Sequence, residues 1–106
     1  MAKNYEKREL NYRIATINGT AQDELIHKTE ENGHELRLRL ILWGDKNIAK
    51  YDEMEDEIEK AQMCKYEIRQ WWTEDGKETC GKGVTLTSDE VQALQKYFAA
   101  MELEQA

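Results

Sequence analysis

No stretch of this chain stays apolar for long. Its apolar runs, such as residues 40–43, fall far short of the roughly 20 residues that span a bilayer. The N-terminus, MAKNYEKREL, lacks the apolar segment of a secretory leader, so no membrane association is expected and a cytoplasmic protein is. Only two cysteines occur, Cys64 and Cys80, and without an export signal they read as reduced thiols. Metal-ligand spacing is missing too: there is no CxxC and no HExxH, and His27 and His34 stand apart from each other and from the cysteines. The acidic run lacks the alternating oxygen ligands and central glycine of a calcium loop. No nucleophile sits in a recognisable catalytic setting, so neither an enzyme, a cofactor nor a metal is expected.

A basic excess is also lacking. The formal charge is -7, whereas nucleic-acid-binding domains usually carry the opposite sign. Location matters more than the sum. Asp52, Glu53, Glu55, Asp56, Glu57 and Glu59 crowd residues 48–62 against only Lys50 and Lys60, while residues 65–87 balance Lys65, Arg69, Lys77 and Lys82 against Glu67, Glu74, Asp75 and Glu78. The acidity is concentrated in one segment and the rest of the chain is left closer to neutral.

The 106 residues suit a single domain with a modest core, residues 10–106, behind a polar and flexible N-terminus, residues 1–9. Its clearest organising feature is KYEIRQWWTEDGKETCGKGVTLT, residues 65–87. Two runs rich in β-branched and aromatic residues, 65–73 and 79–87, flank Glu74-Asp75-Gly76-Lys77, which predicts a β-hairpin turning at Asp-Gly. That turn places Cys80 opposite Trp71 or Trp72 and Cys64 opposite Thr87, too far apart for the alpha-carbon limit of about 7 Å on a disulfide.

Upstream, Tyr12, Ile14 and Ile17 suggest a first strand over residues 10–20, with Asn18-Gly19 as a bend, bulge or turn. Residues 23–29 continue that strand or form a short second one. In residues 34–43 Leu36, Leu38, Leu40 and Leu42 alternate with Arg37, Arg39, Ile41 and Trp43, the signature of a strand with one leucine face. Ile48, Tyr51, Met54 or Glu55, Ile58 and Ala61 follow helical spacing, predicting an amphipathic helix over 48–62. After the hairpin, Thr87-Ser88-Asp89-Glu90 is a capping box. Val91, Leu94, Phe98 and Met101, widened by Ala93, Tyr97, Ala100 and Leu103, give the following helix an apolar stripe expected to cover the leucine face.

The order IRQWW, short turn, GKGVTLT, SDEVQAL resembles the C-terminal domain of the positive cofactor four family of single-stranded DNA-binding transcriptional coactivators. The small bacterial YdbC-like members look nearest. The likeness is good over residues 65–94 and looser back to Asp23, through DELIHKTEENGHELRLRLILWGDK. It implies an α+β fold: a curved four-stranded antiparallel sheet followed by a C-terminal helix that helps form a homodimer, with residues 48–62 as an acidic helical insertion between strands 2 and 3. The relatives join those strands by a much shorter segment. The insertion could lie away from a DNA groove, cover it, or engage a basic protein partner; the plainest reading is a solvated helix packed by one stripe.

Flat π faces beside positive charge are what unstacked nucleotides bind. If the leucines share a core with Tyr66 and Ile68, then Arg37, Arg39, Lys65, Arg69 and Trp71 gather on the opposite side of the sheet as a binding face. Two adjacent strand residues cannot both face one core, so at least one of Trp71 and Trp72 is expected at the surface, Trp72 through a bulge or the sheet's twist. In the family the arginine matched by Arg69 contacts the DNA backbone; the competing reading is a salt bridge with Glu67 or Glu78. Lys82, between Gly81 and Gly83, is placed to meet a phosphate, against a plain bulge with a solvated lysine, and Lys77 in the turn is a weaker candidate. The resulting expectation is single-stranded DNA binding with low sequence specificity in transcription, replication or repair. Its alternatives are a protein-interaction module that keeps the fold without DNA binding, and a single-stranded RNA binder.

Overall fold

The computed structural model describes residues 9–105, with side chains described as far as residue 101. The flexible tail expected over residues 1–9 lies outside the described residues except for Glu9, as does the side chain of Leu103. The elements in chain order are β1 (Tyr12–Ile14), β2 (Thr16–Ile17), β3 (Thr20–Ala21), β4 (Asp23–Lys28), β5 (Glu35–Trp43), α1 (Asp45–Glu53), α2 (Glu57–Gln62), β6 (Lys65–Glu74), β7 (Lys77–Leu86) and α3 (Ser88–Gln105). The fold is α+β, with an antiparallel sheet and a C-terminal helix.

The sheet runs β1-β5-β6-β7, and β4 also pairs with β5. β1 and β4 lie end to end along the same strand: Tyr12 faces Trp43 and Ile14 faces Ile41, then Asp23 faces Arg39 and Lys28 faces Glu35. Ala15 and Gln22 bridge the gap, with Ala15 N donating to Leu40 O at 2.9 Å and Leu40 N to Gln22 O at 3.0 Å. Between them the chain leaves the sheet as the small hairpin β2–β3, turning on Asn18 (φ 52°) and Gly19 (φ 78°). A four-stranded sheet was expected, with residues 23–29 either continuing the first strand or forming a short second one, and they form a strand of their own. The structure corrects this to five strands and a separate two-stranded ribbon, because Asn-Gly closes a tight hairpin and the residues flanking it pair with each other.

β6 and β7 form the expected hairpin. Asp75 (φ 53°) and Gly76 (φ 75°) both adopt the left-handed conformation that a two-residue hairpin turn requires and that glycine takes without steric cost. The register puts Trp71 opposite Cys80 and Arg69 opposite Gly83. Gly81 and Lys82 therefore share the single partner Gln70 in a β-bulge on β7. Both cysteines are free thiols.

Two short helices stand where one helix over residues 48–62 was expected. Met54 turns to extended backbone (ψ 145°) after α1, and Asp56 restarts the helix by accepting from Ile58 N at 2.9 Å. The insertion is tied to the interrupted edge strand: Arg13 pairs with Asp52 at 3.1 Å, and Asn18 N donates to Glu57 Oε2 at 2.8 Å. Ile48 and Tyr51 are buried.

This insertion, not α3, covers the leucine face. The core gathers Ala15, Leu40, Leu42, Tyr51 and Cys64, with Ile17, Ala61, Met63 and Tyr66 packed against it. α3 starts at the expected capping box, Glu90 N donating to Thr87 Oγ1 and Thr87 N to Glu90 Oε1, but then runs off the sheet. Leu94, Tyr97, Phe98 and Met101 are exposed. The place over Leu40 and Leu42 is already taken, so the helical stripe has no seat within its own chain. No helix among the described residues is long and apolar enough to cross a membrane.

Candidate nucleic-acid interface

The alternation read from the sequence holds on β5 and β6. Arg37, Arg39, Ile41 and Trp43 line one side of the sheet with Lys65, Glu67, Arg69 and Trp71; Leu36 to Leu42 line the other with Tyr66, Ile68 and Gln70. The side expected to be open is instead filled. Trp71 is only 3% exposed. Its indole lies parallel to that of Trp43 at 6.0 Å, Tyr12 leans against both rings, and the Arg39 guanidinium sits 4.2 Å from its centroid, a cation–π cover.

The arginines of this side are occupied by carboxylates. Arg37 contacts Glu35 at 2.9 Å and Asp23 at 3.0 Å. Arg39, itself buried, contacts Asp23 at 3.1 Å and Glu78 at 3.4 Å. Arg69 contacts Glu67 at 2.7 Å and donates to Gly81 O at 2.9 Å. Glu67 also accepts from Trp43 Nε1 at 2.7 Å, and the Tyr12 hydroxyl donates to Glu78. These carboxylates come from the sheet strands, not from the acidic insertion. The expectation of exposed guanidinium and indole groups on this side is thus corrected: β1 contributes the ring and β4, β5, β6 and β7 the acids that close it.

Titration follows this packing. Burial works against ionisation of Asp23, but the Arg39 guanidinium and the hydrogen bond from Arg37 outweigh it and hold the carboxyl below its usual range. The hydrogen bond from Arg37 holds Glu35 down likewise and raises Arg37 in return. Burial, then the bond to Glu78, pushes the Tyr12 phenol up to about 12. Burial alone pushes the Cys64 thiol up to about 11 and is the main cause of the rise at Cys80, so both thiols stay protonated at neutral pH.

Trp72 has a different environment. It projects to the leucine side, opposite Thr79, and is half-buried. Its ring stacks on His34, centroids 4.5 Å apart and planes 15° from parallel, and its far edge faces Gly81, where an added Cβ would meet it at 3.4 Å. Its Nε1 donates to Glu74 Oε2 at 3.4 Å. Lys82, in the adjoining bulge, is exposed and makes no ion pair among the described residues. Gln70, the bulge's partner, is also exposed. A stacked indole and imidazole therefore adjoin the bulge that carries an unpaired lysine.

The two tryptophans consequently serve opposite sides of the sheet. The structure sets Trp72 against Gly81 of the bulge that also holds Lys82, and leaves Arg37, Arg39, Arg69 and Trp71 in the closed layer on the other side of the sheet. Lys65 is exposed on the rim of that layer, in register with Ile41, and Lys77 is half-buried beside the turn, paired in register with Glu74. Sequence reasoning missed His34, because its only signal was its position in the strand's alternation. The competing reading of Arg69, a salt bridge with Glu67, is the one the structure shows.

A family model described as Transcriptional Coactivator p15 (PC4) matches residues 60–97. No curated protein and no solved structure matches the chain. The matched segment runs from the end of α2 through the hairpin into α3, so the indole, the bulge lysine and the capped start of the helix all lie inside the part of the chain that is similar to this coactivator family.

Proposed function

We propose that this chain is a non-catalytic binder of single-stranded DNA with low sequence specificity, acting where duplex is opened in transcription, replication or repair. Among the family's members we place it nearest the small bacterial YdbC-like proteins, on the order of strand, turn, GKG strand and capped helix. The carrying observation is the half-exposed Trp72 indole against Gly81 of the bulge that carries the unpaired Lys82, in the segment that matches the family. An aromatic face takes any base, and a lysine at its margin takes the adjoining phosphate. The exposed stripe of α3 supports a homodimer, since a soluble chain seldom leaves such a surface uncovered.

Fluorescence anisotropy with labelled oligo-dT, matched duplex and oligo-U at two salt concentrations tests this reading. Oligo-dT is expected to bind tightest and to quench tryptophan emission, with a log-log salt slope of about -0.7 per phosphate neutralised. Trp72→Ala should cost about 1 to 3 kcal/mol, the usual range for a stacking platform. Lys82→Ala should weaken binding and flatten the salt slope.

One observation favours a second reading, a protein-interaction module that keeps the fold without DNA binding. The three arginines of the other sheet side are already paired with acids, and the chain carries a charge of -7. Failure to bind any oligonucleotide at low salt would decide for it, while tighter binding of oligo-U would transfer the site to RNA.

A further inference from the structure

The ring of His34 does more than border Trp72. The two rings lie nearly parallel at 4.5 Å, although they come from the turn before β5 and from the end of β6, and no other ring lies against His34 among the described residues. The turn that carries it is closed by its own hydrogen bonds. Thr29 N donates to His34 O at 2.8 Å, Gly33 N donates to Thr29 O at 2.8 Å, and His34 N donates to Asn32 Oδ1 at 2.9 Å. The backbone of His34 is thereby pinned from both directions, and its half-buried imidazole is held in line with the indole before any ligand arrives.

We propose that His34 is a nucleic-acid contact: the outer ring of a two-ring platform, His34 on Trp72, on which an unpaired base stacks. The proposal rests on the single-strand reading above. Histidine rings are among those on which splayed bases stack, and a base laid on the outer face keeps the existing pair and adds a third ring. Displacing the imidazole would forfeit a contact the protein has already formed. A ring held in place beforehand loses little conformational freedom on binding, and its edge nitrogens stand beside the stack, where a base or phosphate edge would lie.

The test compares wild type, His34→Ala, His34→Phe and Trp72→Ala in oligo-dT titrations, with thermal melts to confirm that each variant folds. His34→Ala is expected to weaken binding about tenfold, within the range for loss of one stacking partner, and His34→Phe to stay within about threefold of wild type, since it keeps a flat ring. Proton NMR adds a direct readout: the imidazole signals that vanish in His34→Phe should move upfield when oligo-dT is added, under the ring current of a stacked base. The proposal is overturned if Trp72→Ala weakens binding while His34→Ala binds as well as wild type or better, or if the His34 signals do not move at saturation. Absence of binding by the wild type would instead bring down the functional reading itself, and this inference with it.

Discussion

Gly83 leaves no room for a methyl group: a Cβ there would stand 2.6 Å from Ile68 O and 2.7 Å from Arg69 Cγ. The side chain of Arg69 lies across it on its way to Glu67 and Gly81 O. Gly81, two residues earlier, would meet only the Trp72 ring at ordinary contact distance, 3.4 Å. The two glycines of GKG therefore have different jobs, although in the sequence they flank Lys82 alike. Gly83→Ala should destabilise the protein by about 1 to 3 kcal/mol, as overpacking does, and Gly81→Ala by less than about 1 kcal/mol. Urea unfolding followed by tryptophan emission measures both; equal midpoints would refute the steric argument. The tryptophan pair shows the same limit of sequence reading. Period-two alternation separates Trp71 from Trp72 correctly, but which side is sealed depends on Tyr12 and Trp43, which approach Trp71 from residues 59 and 28 positions away in the chain, and no local pattern carries that.

The hairpin and the start of α3 were legible as elements because their chemistry is local: Asp-Gly sets the turn and Thr87 with Glu90 sets the cap. The edge strand was not, since β1 and β4 are one strand only in the sense that β5 pairs with both. β4 is fastened to β5 partly through Asp23, which reaches Arg37 and Arg39 together. This carboxyl titrates below its usual range in the folded chain. Its ionised form thus stabilises the fold above the unfolded value of about 4, and that contribution disappears as pH falls through the depressed folded value. On acidification from about pH 5 to about pH 3 the amides of β4 should lose hydrogen-exchange protection before those of β6 and β7. Asp23→Asn should remove this acid sensitivity at a cost of about 1.5 to 3 kcal/mol, the range for a hydrogen bond to a charged group. Simultaneous loss of protection in all strands would show that Asp23 does not fasten the edge.

At the scale of the whole molecule the two surfaces of the sheet are complete to different degrees. One is sealed by rings and ion pairs; the other is covered over Leu40 and Leu42 but leaves Val84 57% exposed farther along. α3 extends beyond the sheet, and the radius of gyration is 16.5 Å where a compact chain of this length would have about 13 Å. A stripe of Leu94, Phe98 and Met101 in water and a partly bare leucine face are the two halves of one deficit, and the proposed second copy would supply both. Burial is the argument for the proposed homodimer: the insertion occupies the seat within the chain, and a partner would cover the displaced helix. Sedimentation equilibrium should give twice the 12.5 kDa of the chain for the wild type and the single mass for Phe98→Asp, since a buried unpaired carboxylate costs several kcal/mol. Because α3 contributes nothing to the core around Tyr51 and Cys64, the variant should keep the near-ultraviolet signature of the Trp43–Trp71 stack. A variant that loses that signature along with its mass would mean that the helix supports the sheet within one chain, and the argument for a partner would go with it.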